Sequence, residues 1–196
     1  MANDMLVFIT GGVRSGKSNF AERMARFYET GESRLIYIAT SNITDEEMAL
    51  RVKRHQRDRN KSDKRWMTIE SPINVSHVAN QLERKDIVLL DCLTNLAANE
   101  LFQGWESGIE RWHNESYRRE VFERIWAGII NLNKHCHDLY IVSNELFYDI
   151  PLEDEGSKYY LQLLGSLHQE IVSQADKAIL VENGIPCFKK GGPLSW

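Results

Sequence analysis

The sequence predicts an α/β fold: a three-layer sandwich whose mostly parallel sheet ends in an antiparallel edge hairpin. Three observations predict it. Short apolar, β-branched runs recur at 5–10, 34–39, 87–91, 139–143 and 178–182. Segments with helical apolar spacing separate them, at 17–29, 44–59, 74–84, 118–134 and 157–174. Strands that alternate with helices build a parallel sheet covered on both faces, joined by right-handed crossovers. The 196 residues suit one domain spanning 1–196, long enough for a single sizeable core.

The first strand, Met5-Leu6-Val7-Phe8-Ile9, delivers the chain to Gly11-Gly12-Val13-Arg14-Ser15-Gly16-Lys17-Ser18. This is the full phosphate-loop pattern Gly-x-x-x-x-Gly-Lys-[Ser/Thr], and it narrows the fold to a P-loop NTPase-like sandwich. Glycines let the backbone wrap around phosphate oxygens with its N–H groups turned inward. Lys17 is expected to reach the β- and γ-phosphates and Ser18 to ligate Mg²⁺. The N-terminus of the following helix adds favourable potential for an anion. That helix shows the apolar spacing Phe20-Ala21, Met24-Ala25, Tyr28. The chain therefore binds a nucleoside triphosphate.

The segment from Asp45 to Arg59 reads as a helix with acids at its start and bases at its end, in accord with the helix dipole. Arg51, His55 and Arg59 share one face. Guanidinium groups beside an imidazole disfavour its protonated form. A neutral imidazole near phosphates can act as nucleophile or general base. Asp58 lies one turn from His55 and could orient its ring. The spacing alone is equally compatible with a solvated basic face that happens to contain a histidine.

Trp66-Met67-Thr68-Ile69 adds a further candidate strand. Ile87-Val88-Leu89-Leu90-Asp91 is an apolar strand closed by a carboxylate, the form of a Walker B element that holds Mg²⁺ or its waters at the carboxyl end of a neighbouring strand. The competing reading is that Asp91 caps a helix starting near Thr94-Asn95. The most loop-like stretch is 103–117; its Trp105 and Trp112 either cover a core edge or belong to a lid or subunit contact. Asn183-Gly184-Ile185-Pro186 is a turn leading into an edge hairpin with Cys187-Phe188-Lys189.

Composition removes several classes of function. A formal charge of −4 argues against a dedicated nucleic-acid binder. No run of about eighteen apolar residues exists to span a membrane. The first strand starts too early to leave room for a signal peptide. Three cysteines, Cys92, Cys136 and Cys187, without metal-ligand spacing suit reduced thiols in a cytoplasmic enzyme. His135-Cys136-His137 lacks a second ligand pair and is expected to cap or follow a helix end.

In order, the phosphate loop, Ile38-Ala39-Thr40-Ser41, the Arg51…His55…Arg59 segment, Trp66-Met67-Thr68-Ile69-Glu70 and Leu89-Leu90-Asp91-Cys92-Leu93-Thr94-Asn95 form a recognisable series. It continues through Val142-Ser143-Asn144-Glu145, Gln169, Ala175-Asp176 and Gly184-Ile185-Pro186, and so spans nearly the whole chain. The series resembles the bifunctional adenosylcobinamide kinase/adenosylcobinamide-phosphate guanylyltransferase family of cobalamin biosynthesis. The resemblance implies a one-domain phosphate-loop fold, commonly a homotrimer, with GTP (or ATP for the kinase step) and Mg²⁺ as its nucleotide and ion. It implies a small corrinoid substrate.

The kinase reaction of such proteins phosphorylates the aminopropanol hydroxyl of adenosylcobinamide. The transferase reaction moves GMP from GTP onto a histidine and then to adenosylcobinamide phosphate. By this resemblance the guanylylated histidine is His55, acting with Lys17. The GTP contacts are Gly11, Gly12, Val13, Arg14, Ser15, Gly16, Lys17 and Ser18, then Ala39, Thr40 and Ser41, Gln56, Arg57, Asp58 and Arg59, Glu70 and Asp91. Ser18 and Asp91 are the metal ligands. Glu145 and Asp91 are candidates, by position, for the kinase base.

The departures lie later in the chain. Where the family reads Val-Gly-x-Gly-Ile-Val-Pro after Asn-Glu, this chain reads Leu146-Phe147-Tyr148-Asp149-Ile150-Pro151, and His168 stands where asparagine is common. Phe147 and Asp149 in place of glycines should reshape that loop and alter its corrinoid-facing side.

Overall fold

The computed structural model describes residues 5–29, 31–41, 66–148 and 154–192. Its centre is a seven-stranded sheet. In chain order the strands are β1 (Met5–Gly11), β2 (Leu35–Ala39), β3 (Trp66–Glu70), β4 (Ile87–Asp91), β5 (Asp138–Asn144), β6 (Lys177–Glu182) and β7 (Ile185–Lys190). Their order across the sheet is β3-β2-β4-β5-β1-β6-β7. β1 to β6 run parallel, and β7 closes the edge antiparallel to β6, as the Asn183-Gly184 turn implies.

Among the described residues four α-helices accompany the sheet: α1 (Lys17–Phe27), α2 (Leu93–Leu101), α3 (Glu115–His135) and α4 (Glu155–Gln174). Alternate residues of each strand point to opposite faces, and the core divides accordingly. Val7, Ile9, Leu89 and Val142 pack with Phe20, Ala21, Met24 and Ala25 of α1 on one face. Leu6, Phe8, Leu90 and Ile141 pack with α2, α3 and α4 on the other. Strands buried on both faces read as continuous apolar runs, which is why the periodicity located them to within a residue.

Several expectations change. The segment 74–84 is not an α-helix but a 3₁₀ helix, Val75–Gln81. It follows Asn74, whose backbone is left-handed (φ 51°). It lies so close to α3 that a Cβ at Gly128 would stand 3.0 Å from Val75 Cγ2. Asn131 of α3 donates its side-chain amide to Ser76 O at 3.2 Å and to Ser76 Oγ at 3.0 Å. Tertiary contact, not local propensity, selects the tighter helix here.

The stretch 103–117 is less loop-like than expected. It holds two 3₁₀ turns, Trp105–Ser107 and Arg111–His113, and the first turn of α3, capped by Asn114 Oδ1 accepting from Ser116 N at 2.8 Å. Its two tryptophans part company: Trp112 is buried against Phe102, and Trp105 is exposed. His135 is the last residue of α3 and Cys136 its C-cap, as expected. The 44–59 segment, with Arg51, His55, Gln56, Arg57, Asp58 and Arg59, lies outside the described residues.

Candidate nucleotide site

Because β1 to β5 are parallel, their carboxyl ends meet along one edge of the sheet, and the expected site residues that are described gather there. Register fixes their order. Ala39 pairs with both Glu70 and Asp91, Asp91 with Val142, and Gly11 with Asn144. One feature differs from a simple neighbouring-strand arrangement. β4, which carries Asp91, is not next to β1; β5 lies between them. Asn144 and Glu145 therefore stand between the Walker B carboxylate and the phosphate loop. Glu145 N donates to Gly11 O at 2.9 Å.

The loop itself is built from close backbone approaches. A Cβ at Gly11 would collide with the Val181 carbonyl of β6, so only glycine fits. Arg14 and Gly16 adopt left-handed backbone (φ 63° and 90°), which turns the chain into α1. Ser15 N donates to Gly12 O at 3.1 Å, and Gly184 N, from the β6–β7 turn, donates to Ser15 O at 2.8 Å. The edge hairpin thus buttresses the loop from outside.

Gly12, Val13, Arg14 and Gly16 are exposed, whereas Lys17 is buried and donates to Gly12 O at 3.1 Å. Burial lowers the Lys17 pKa, and the Asp91 carboxylate partly opposes that shift. Ser15 Oγ and Thr10 Oγ1 are buried and find no hydrogen-bond partner among the described residues. Buried hydroxyls without partners are costly, and a phosphate oxygen is the kind of acceptor that would relieve them.

Asp91 is held by Tyr37, whose hydroxyl donates to Asp91 Oδ2 at 2.8 Å. The N-cap position of α2 is taken by Cys92, so Asp91 is oriented from the sheet instead of serving as that helix's cap residue. Cys92 is inert: burial first, then the Asp91 charge, pushes its thiol up to about 11. A carboxylate at Asp91 and a hydroxyl at Ser18 supply hard oxygen donors of the kind Mg²⁺ accepts alongside substrate phosphates, so the donor set fits that ion.

The other expected contacts are of two kinds. Ala39 and Ser41 are half-buried and Glu70 is exposed on the outer strand. Thr40 is fully buried and its hydroxyl is consumed by the fold, donating to Cys92 O and accepting from Cys92 N, each at 2.7 Å. Asn95 and Asn99 of α2 tie this ledge down, through Ser41 Oγ at 2.8 Å and through Thr40 O and Pro72 O at 2.8 and 2.9 Å. Sequence reasoning missed Tyr37, Asn95 and Asn99. A tyrosine inside an otherwise aliphatic buried strand was the available signal, since a buried phenol requires a partner.

This is a phosphate-loop nucleotide-binding site on a P-loop NTPase-type sheet. An ATPase of a bacterial type III secretion system superposes with a TM-score of 0.53 at 12% identity, over 95% of this chain and 57% of that one. The flagellar accessory protein FlaH of Methanocaldococcus jannaschii gives 0.50 at 14% identity, over 98% and 80%. Such likeness concerns the fold.

The particular family follows from sequence: residues 7–188 match the model of CobU, cobinamide kinase / cobinamide phosphate guanyltransferase, and the chain belongs to this family. Among its relatives is the bifunctional adenosylcobalamin biosynthesis protein CobU of Salmonella typhimurium, 31% identical over 92% of this chain and 97% of that protein. Another is the protein of the same name from Escherichia coli K12, at 28% over the same shares. A third is CobP of Pseudomonas aeruginosa, 32% identical over 95% and 98%.

Proposed function

We propose that this chain phosphorylates adenosylcobinamide and transfers GMP from GTP to adenosylcobinamide phosphate, giving adenosylcobinamide-GDP. The observation that carries the reading is the family match over residues 7–188, combined with a phosphate loop whose buried Ser15 hydroxyl lacks a partner among the described residues.

In the kinase step the corrinoid hydroxyl oxygen attacks the γ-phosphorus of the triphosphate, and the bond to the β-phosphate oxygen breaks. In the transferase step a ring nitrogen of His55 attacks the α-phosphorus of GTP and pyrophosphate departs. A phosphate oxygen of adenosylcobinamide phosphate then displaces the imidazole, breaking the P–N bond and freeing His55. Dividing one displacement into two gives ping-pong kinetics for this half.

Lys17 and the inward N–H groups of 11–18 stabilise charge on the phosphates, with Ala39, Ser41, Glu70 and the residues Gln56 to Arg59 completing the nucleotide contacts. The burial that lowers the Lys17 pKa also reduces the screening of its charge. Asp91 and Ser18 would hold Mg²⁺, which when bound neutralises charge developing between the phosphates. Tyr37 keeps the Asp91 carboxylate turned to that task. No helix among the described residues is long and apolar enough to cross a membrane; a cytoplasmic homotrimer is part of the same proposal.

The test supplies adenosylcobinamide, GTP and Mg²⁺ and follows products by mass spectrometry. Adenosylcobinamide phosphate and then adenosylcobinamide-GDP are expected. Nucleotide hydrolysis without either corrinoid product would remove the proposal.

A further inference from the structure

We infer that Glu145 accepts the proton of the corrinoid hydroxyl in the phosphorylation step, and that Phe147, seated on His168, positions it. The inference rests on the kinase reading above and adds a base that the sequence motifs leave unassigned.

Among the described residues, Asp91 ends β4 and Glu145 follows β5 on the loop's edge of the sheet. Asp91 accepts from Tyr37 and lies within electrostatic reach of Lys17, which fits it to the ion and the phosphates. Glu145 follows the end of β5, between Asp91 and Gly11 in strand order, and its N–H is bonded to Gly11 O. Glu70 lies on the outermost strand, beyond β2 and β4, and is remote from the loop in strand order.

The segment carrying Glu145 is pinned on both sides by one residue of α4. On one side, the His168 ring bonds Ser143 Oγ at 2.7 Å, and Ser143 Oγ meets Thr94 Oγ1 at 3.2 Å. Thr94 Oγ1 then accepts Asn144 N at 2.7 Å. On the other side, the Phe147 ring stands edge-on to His168, centroids 5.5 Å apart at 85°. It passes over Gly165, where a Cβ would come 3.5 Å from Phe147 Cε1. Phe147 N donates to Glu145 Oε1 at 3.1 Å. His168 is itself fixed edge-on against Phe8 of β1, at 4.9 Å. The aromatic pair therefore sets where the backbone N–H of Phe147 stands, and that N–H sets the carboxylate.

The chemistry balances simply. The hydroxyl oxygen forms its bond to the γ-phosphorus, its proton passes to the Glu145 carboxylate, and the electrons of the breaking P–O bond leave with the nucleoside diphosphate.

A double-mutant cycle tests this on the full chain with adenosylcobinamide and GTP, reading kcat, KM and GTP affinity separately. Glu145→Gln should lower kcat for phosphorylation about 10²-fold or more with GTP affinity unchanged. Phe147→Ala should lower kcat about tenfold, Phe147→Leu much less, and Phe147→Ala should add no further loss to Glu145→Gln. Independent, multiplying losses would overturn the inference, as would a Phe147→Ala variant that loses GTP affinity in step with kcat. A wild-type chain that forms no adenosylcobinamide phosphate would overturn the kinase reading and this inference with it. An active wild type with independent losses would overturn the inference alone.

Discussion

The phosphate loop and the ledge at the ends of β2 and β4 lie on the same sheet edge, yet they treat polar groups in opposite ways. Across the ledge, hydroxyls and amides are paired within the fold: Thr40 with Cys92, Asn95 with Ser41, Asn99 with two carbonyls. In and beside the loop, Ser15 Oγ and Thr10 Oγ1 are buried without partners among the described residues, and Lys17 is a buried cation on a backbone carbonyl. Paired groups build a rigid platform. Hydroxyls left unpaired at the loop are free to meet the oxygens of a ligand. The sequence reading expects nucleotide contacts in both regions, and the difference separates hydroxyls already engaged by the fold from those still unpartnered.

The largest break in that comparison is Lys17→Ala. Turnover and GTP affinity should fall about 10²–10³-fold, because a buried, preorganised cation on the phosphates is lost. Thermal unfolding without nucleotide should change little or rise slightly, since a desolvated charge is removed as well. Unchanged GTP affinity by calorimetry would take the loop out of the account.

His168 offers a second test of what is scaffold. Burial holds its pKa at about 4, against 6.5 unfolded. The unfolded chain thus binds the extra proton between those values. Stability is fully present above about pH 6.5 and falls as pH drops towards 4, by about 3 kcal/mol over the window. Chemical denaturation at several pH values should show this acid limb flattened in His168→Asn.

Thr40→Val strikes the paired side. It leaves Cys92 N and O without the Thr40 hydroxyl at a buried site and should destabilise by about 1–3 kcal/mol with GTP affinity nearly unchanged. A loss confined to GTP affinity would reverse the assignment of Thr40 to the scaffold. The mildest change, Tyr37→Phe, frees Asp91 from its orienting bond. The Mg²⁺ concentration needed for half-maximal binding of a fluorescent GTP analogue should rise about tenfold, with metal-free nucleotide affinity unaltered.

Much of this was legible because the relevant signals are local. The loop glycines, Lys17 and the apolar strand ending at Asp91 occupy continuous stretches, and buried parallel strands are uninterrupted apolar runs. What escaped is set by contacts distant in sequence. Nothing local shows that β5 enters between β4 and β1, placing Asn144 and Glu145 in the site. The 3₁₀ winding of Val75–Gln81 depends on α3 some fifty residues away. The Phe147 ring lies on His168 of a later helix, so two residues that the sequence reading singled out separately are in contact in the fold. The sequence marked Thr40 for the nucleotide, and only its neighbours reveal that its hydroxyl is already engaged.

The central claim is covalent capture of GMP by this chain, and the most direct measurement is to incubate it with Mg²⁺ and GTP labelled at the α-phosphate. A phosphoramidate on imidazole is labile in acid, where protonation improves the leaving group, and stable in alkali. Label with that profile, mapped by peptide mass spectrometry to His55 and missing from His55→Ala, is the expected result. Label that persists undiminished in His55→Ala, or a wild-type chain that binds GTP yet never becomes labelled, would contradict it.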